Sequence, residues 1–293
     1  MINVVTHDGK FHPDEIYACV LLNYFTGDEL KITRTRDEKV IKKAQENILT
    51  YVIDVGDVYD KSKNNLDHHQ STFKEVGTNG DVLSSCGLMW HKLKDEVTLS
   101  DFIKNKIDEF TIRIDRHDNG VEYSPETEII SMYNFSDKIY TSNQRFRRAL
   151  NVATVHFKNL MNMWLRFELT ELMSIEILKE TTGDIISTQE KIGVNKIFNS
   201  SDKLLLVTPR KEGEYTICSL NVTEEVDFSI RCPAPVEWRG LSDTELCEVA
   251  GLENLIFCHK SGFITIVKGE LEDAMKIANE IVKQFKESEN VNL

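Results

Sequence analysis

The sequence lacks paired cysteines. Its six, Cys19, Cys86, Cys218, Cys232, Cys247 and Cys258, are scattered without any CxxC spacing. That argues against a zinc ribbon or a disulfide framework and suits reduced core thiols in an intracellular protein. No run approaches the roughly 18 to 20 apolar residues of a membrane span, so no membrane partner is expected. The opening, "MINVVTHDGKFHPDE", has neither the apolar core of a secretory signal nor the basic, Ser-rich character of a transit peptide. The reading is cytoplasmic and not secreted, with nucleus and mitochondrion left open. Internal repeats, low-complexity tracts, an HExxH helix and a Ser or Cys nucleophile motif are also missing. Positive charge is in deficit: 35 Lys and Arg stand against 48 Asp and Glu, a formal net charge of −13. General coating of nucleic acid is thereby disfavoured. A nuclease is not, because carboxylates that hold cations add to the negative total while the loaded site is locally positive.

What is present fits two ordinary domains: 293 residues, 41% of them hydrophobic. Ile2 to Val5 reads as a strand, Pro13 starts a helix through "DEIYACVLLNYF", and "ELKITRTR" is a second strand. The helix "DEKVIKKAQENI" and the strand "LTYVIDVGDVYD" follow, the latter ending near Asp54 and a Gly56 turn. Strands alternating with helices predict an α/β fold with a mainly parallel sheet flanked by helices. From about residue 195 the pattern changes to short β-type runs with helices at "SDTELCEVAG" and "ELEDAMKIANEIVKQFKE", a second, smaller α/β domain. The expected division is residues 1–143 for a catalytic domain, 144–190 for a helical linker and 191–293 for a smaller substrate-binding domain that closes over a cleft.

Six of the eight histidines lie within the first 117 residues, and acids accompany them at predicted element ends. "THDGKFHPDE" supplies His7, His12 and Asp14, with Glu15 beside them. "VIDVGD" supplies Asp54, "LDHHQST" supplies Asp67, His68 and His69, and "IDRHDNG" supplies Asp115, His117 and Asp118. His91 reads as a packed histidine. Ligands of open α/β sheets gather outside the carboxyl ends of the strands, where His7 and Asp54 are expected. Mixed imidazole and carboxylate donors suit Mn²⁺, Mg²⁺, Fe²⁺ or Zn²⁺, and there are enough for two ions sharing a carboxylate. Such a pair can activate a water and stabilise both oxygens of a phosphoryl transfer.

The order His-x4-His-x-Asp-Glu, strand-end Asp-x-Gly, Asp-His-His and Ile-Asp-x-x-Asp-Asn-Gly resembles the DHH phosphoesterase superfamily. Within it, the chain is similar to the melanocyte proliferating gene (Myg) family of metal-dependent hydrolases and RNA exonucleases. "RTRD", "LSSCGL", "FRRAL", "WRGL" and "CHKSGF" are similar to segments of that family in the same order, so the resemblance covers nearly the whole chain. It implies a DHH-type N-terminal domain and two divalent ions, Mn²⁺ preferred and Mg²⁺ admissible. His7 and His12 would bind one ion and Asp14 and His68 the other, with Asp54 bridging and Asp115 completing the donors of the second ion. His69 would face the substrate phosphate and Asp67 would fix an imidazole tautomer, these two carrying the catalytic roles. Asp118, read from the residues alone, is a further ligand or a helix-end residue before the Asn-Gly turn, with a place behind the ligands favoured. The implied reaction is hydrolysis of single-stranded RNA or an oligonucleotide from its 3′ end by a metal-activated water.

Substrate-gripping candidates are Arg147 and Arg148 in "QRFRRAL", with Phe146 as a stacking surface, and Arg239, His259, Ser261 and Gly262 in the second domain. Rival readings are a small-molecule phosphatase or short-oligonucleotide phosphodiesterase, a metal-dependent protein hydrolase, and a non-enzymatic metal-binding regulatory protein. Whether two chains pair as a homodimer is left open.

Overall fold

The computed structural model describes residues 1–136, 139–224 and 229–291. The chain divides into two compact units, Met1–Arg166 and Phe167–Leu293.

In the first unit β1 (Ile2–Thr6) is followed by α1 (Pro13–Thr26), β2 (Leu30–Arg34), α2 (Glu38–Gln45) and β3 (Thr50–Ile53). The short strands β4 (Tyr59–Asp60) and β5 (Asn65–Leu66) complete a sheet of order β2-β1-β3-β5-β4. It is parallel except for the antiparallel β4–β5 edge pair. Helices α3 (Ser85–Leu93), α4 (Asp101–Asp118) and α5 (Pro125–Ser131) follow, then the 39-residue α6 (Ser142–Glu180). The expected mainly parallel, helix-flanked sheet is therefore the observed one.

The run Ile16 to Leu22 of α1 is buried on every side, which explains why its sequence is apolar with little periodicity. Phe146, Ala149, Ala153, Phe157, Met161 and Trp164 recur every three or four residues and form the buried stripe of α6 in this unit. Tyr17 packs edge-on against Phe110 with ring centroids 5.1 Å apart, and Phe110 meets Phe157 at 5.5 Å. Truncating a fully buried ring such as Phe110 to alanine costs about 3–5 kcal/mol.

In the second unit β6 (Ile185–Ser187), α7 (Lys196–Asn199), β7 (Leu205–Lys211), β8 (Glu214–Ser219), α8 (Asp243–Ala250), β9 (Leu255–Cys258), β10 (Ile264–Lys268) and α9 (Leu271–Val291) follow in that order. The sheet order is β6-β7-β8-β10-β9, with only β6–β7 parallel among the described strand pairs. Ala274, Ile277, Ala278 and Ile281 of α9 cover one face with Trp238 and Leu246, as the aliphatic spacing predicts.

Candidate metal centre

The register of the parallel sheet sets the site. Val5 pairs with Val52, and Ile53 with Leu66, so β1, β3 and β5 end together at one edge. The next residues are His7, Asp54 and Asp67-His68-His69. Consecutive strand residues would point to opposite faces; because β5 stops at Leu66, His68 and His69 turn toward the same centre, their rings 4.4 Å apart. Asp54 itself adopts a left-handed backbone, φ 56°, a conformation that aspartate tolerates and that is costly enough to mark a constrained position. From the other side, the N-terminal turn of α1 brings Asp14 and Glu15, both fully buried.

Asp54 lies between two sets of donors. Its Oδ2 is 3.2 Å from His7 Nε2 and 4.0 Å from His12 Nδ1, while its Oδ1 is 3.3 Å from His68 Nε2 and 3.5 Å from His69 Nδ1. His68 Nε2 also lies 3.4 Å from Asp118 Oδ2 and 3.8 Å from Asp14 Oδ2. Three groups have ligand atoms within 4.8 Å of one another: His7, His12, Glu15 and Asp54; Asp54, His68 and His69; and His12, Asp14 and Asp118. Asp54 is common to the first two.

The donor set fits divalent cations on its own evidence. Asp14 Oδ1, Glu15 Oε1, Asp54 Oδ2 and His68 Nε2 are buried and have no hydrogen-bond partner, an arrangement that costs stability unless something else satisfies those atoms. Burial, followed by the charges of Asp54, Asp118 and Glu15, drives the Asp14 carboxyl well above its ordinary range. Burial likewise raises Glu15 to about 7, against its short contact with His7. Asp54 goes the other way: burial opposes its charge, but His68 and His7 hold it low. A cation at this point cancels the mutual repulsion of these carboxylates.

Two further residues organise the cluster. Ser85, at the start of α3, donates its backbone N–H to Asp14 Oδ2 at 3.3 Å and its hydroxyl to Leu66 O at 3.0 Å. Asp67 accepts the His69 Nδ1 proton at 2.7 Å on one oxygen and the Asp57 N–H at 2.7 Å on the other. It thus fixes the ring that faces the cleft, and this bond outweighs partial burial to raise His69 to about 9. His7 Nδ1 lies 3.0 Å from Asp8 O and 3.2 Å from Arg36 Nη2; with Nε2 as the ligand atom, Nδ1 carries the proton and donates to Asp8 O.

The structure separates Asp115 from Asp118: Asp118 is in one of the three donor groups and Asp115 in none, although Asp115 Oδ2 is also buried without a hydrogen-bond partner. Asp115 Oδ1 accepts hydrogen bonds from Ser84 and Gly87 of the α3 N-terminus. Asp118, one helical turn later, reaches His68 instead. Glu15 joins the donors although the motif pattern gives it no role. Its Oε2 accepts the His12 N–H at 3.1 Å as in a capping box, a signal present in the sequence, and contacts His7 Nε2 at 2.5 Å.

The candidate substrate residues are distributed over both units. Arg147 and Arg148 are exposed on α6, and Arg148 lies over the Tyr140 ring at 4.4 Å. Phe146 is no stacking surface: it is 1% exposed, packed edge-on against Phe11 and covered by the Arg34 guanidinium at 4.5 Å. In the second unit Ser261 donates its N–H to His259 Nδ1 at 3.1 Å, and Arg239 Nε donates to Ala234 O at 2.8 Å. Gly262, φ 75°, lets these chains meet, since a Cβ there would lie 2.9 Å from Arg239 Nε. His91 is half-buried on α3, and His117 Nδ1 accepts from Ser124 N at 3.4 Å.

A cleft of about 420 Å³ opens beside His7, His12, Asp54 and His69, with Arg36 and Lys42 on its wall. Neither cation stands out in the sequence, although Arg36 belongs to "RTRD". No helix among the described residues is long and apolar enough to cross a membrane.

The parallel sheet with an imidazole and carboxylate cluster at its strand ends defines an α/β protein with a candidate divalent-metal centre. The chain belongs to the family MYG1_exonuc, described as "Uncharacterised protein family (UPF0160)", whose model matches residues 3–282. It is 29% identical over 333 residues to the MYG1 protein of Dictyostelium discoideum, covering 98% of this chain and 99% of that one. To the MYG1 exonuclease of Rattus norvegicus it is 28% identical over 307 residues, covering 88% and 79%. Among solved structures, RecJ of Thermus thermophilus in complex with Mn²⁺ matches 96% of this chain at 11% identity and a TM-score of 0.27. The chain spans about half, 52%, of that protein.

Proposed function

We propose that the protein is a metal-dependent phosphodiesterase that degrades single-stranded RNA from its 3′ end. At family level it is a hydrolytic nuclease, and relatives named MYG1 exonuclease support that level of the reading. The observation that carries the proposal is Asp54, whose two oxygens face different histidines across a buried cluster of unpartnered donor atoms.

The residues that would hold two cations are His7, His12, Glu15 and Asp54 on one side and Asp54, His68, Asp14 and Asp118 on the other. Divalent ions bound there supply an activated water and offset the charge that develops on a phosphoryl group. His69, held by Asp67 and 52% exposed at its side chain, donates toward the phosphate of a substrate in the cleft. Its raised affinity for a proton keeps it a donor at neutral pH. Arg36 and Lys42 on the cleft wall add positive charge beside the same phosphate. Arg239 and His259 of the second unit are the further substrate-contact candidates in this reading, and Mn²⁺ is the preferred ion.

The test is hydrolysis of a 5′-labelled single-stranded RNA, a DNA of the same sequence and a small phosphodiester with Mn²⁺ or Mg²⁺, comparing wild type with His68→Ala. A ladder shortening from the 3′ end of the RNA, lost in the variant and on chelation, is expected. Cleavage restricted to the small ester or to dinucleotides would replace the polymer reading with the short-oligonucleotide one. No cleavage by folded, metal-loaded protein would overturn both.

A further inference from the structure

The chain is acidic overall, yet residues 139–167 contain Arg145, Arg147, Arg148, Lys158 and Arg166 and not one Asp or Glu. This stretch begins where α6 meets the metal-binding loop. Ser142 donates its hydroxyl to Gly9 O at 2.6 Å, between His7 and His12. Just upstream, Asn134 exchanges hydrogen bonds with the backbone of Phe11, at 3.1 and 2.7 Å, and Arg145 donates to Asn134 O at 2.6 Å. The next residue, Phe135, is 79% exposed, and Lys10 of the metal-binding loop lies 5.7 Å from the centre of its ring. Tyr140 stands under Arg148.

We infer that Lys10, Phe135, Tyr140, Arg147 and Arg148 form a docking platform for single-stranded nucleic acid beside the metal centre. The inference rests on the hydrolase reading and adds where the strand beyond the reacting nucleotide is held. Aromatic faces interleaved with cations are what an unpaired strand needs: bases stack on the rings while the phosphates meet Lys and Arg. An exposed phenylalanine gains nothing in water, and over residues 134–148 the four cations Lys138, Arg145, Arg147 and Arg148 stand against the single acid Asp137, a balance that suits a polyanion. The Arg residues also answer the objection that a chain of charge −13 repels a polyanion, because the attraction needs only a local surplus. The backbone bonds from Asn134 and Ser142 tie the platform to the loop carrying His7 and His12.

The inference is tested by fluorescence anisotropy of a labelled 12-nucleotide single strand with the full chain in the presence of a chelator. Phe135→Ala is expected to weaken binding about 10-fold and Phe135→Trp to restore or exceed it. The pair Arg147→Ala and Arg148→Ala is expected to flatten the dependence of log affinity on log salt by about 0.7 for each phosphate that an arginine no longer neutralises. Lys276→Ala, which removes an exposed charge on α9, is the control and should match wild type. Variants that bind like wild type, with wild type binding and cleaving the strand, would overturn the platform and leave the hydrolase standing. Wild type that neither binds nor cleaves any strand would overturn the polymer reading, and the platform with it.

Discussion

Asp115 Oδ1 accepts two hydrogen bonds from a single residue, the backbone N–H of Ser84 at 3.0 Å and its hydroxyl at 2.6 Å. With the Gly87 N–H at 3.0 Å this makes Asp115 the anchor of the α3 N-terminus, and α3 in turn presents Ser85 to Asp14. The carboxylate thus anchors the helix that carries Ser85, while Asp118 Oδ2 lies 3.4 Å from His68 Nε2.

Asparagine keeps the acceptor oxygen and removes the charge, so Asp115→Asn should retain Mn²⁺ affinity close to wild type. Asp118→Asn should lose at least about 10-fold in affinity, the lower bound expected even for groups that only support a ligand. Isothermal titration with Mn²⁺ separates the two; equal losses would return Asp115 to the ligands.

The same substitution has a pH signature. Burial pushes Asp115 up to about 7 from 3.8, more than the bonds from Ser84 and Gly87 can offset. A carboxyl that holds its proton more tightly in the folded state contributes stability that is complete below 3.8 and lost as pH rises through about 7. Asp115→Asn should thus raise the unfolding midpoint of the metal-free protein more at pH 8 than at pH 5. A gain that is equal at both pH values, or larger at pH 5, would contradict it.

Gly87 is constrained by the same contact. A Cβ at this position would lie 2.3 Å from Asp115 Oδ2 and 2.8 Å from Leu83 Cδ2. Gly87→Ala should cost about 1–3 kcal/mol through overpacking, despite alanine's better helix propensity. Urea denaturation reads the difference, and an unchanged or higher midpoint would show that α3 can shift at no cost.

Arg34 braces the other side of the centre. It donates to His7 O at 3.2 Å, to Gly9 O at 3.0 Å and to Ser142 Oγ at 2.9 Å, with its guanidinium over the Phe146 ring. Lysine offers one point donor in place of this fork. Arg34→Lys should weaken Mn²⁺ binding about 10-fold, the effect of loosening a ligand's support. Circular dichroism checks that the fold persists, and undiminished Mn²⁺ affinity would show that the loop holds its shape without the fork.

The strand-end residues were legible because alternating strands and helices force His7, Asp54 and the Asp-His-His run to one sheet edge. The choice between Asp115 and Asp118 was not, since positions three apart on a helix share a face and only packing decides which reaches inward. Phe146 was hidden for a related reason: "RFRR" reads as a basic aromatic patch until the core stripe of α6 turns the ring inward. Arg36 and Lys42 carried no signal of their own, because an arginine in a loop and a lysine on a short helix are ordinary and only the fold brings these two to the cleft.

The most direct measurement is Mn²⁺ stoichiometry with electron paramagnetic resonance on wild type and Asp54→Asn. A centre built around a shared carboxylate predicts two ions per chain with coupled spins in wild type, the coupling lost and at most one ion retained in the variant. One isolated ion in wild type, or two whose coupling survives the loss of Asp54, would contradict the dinuclear centre on which the proposed hydrolysis depends.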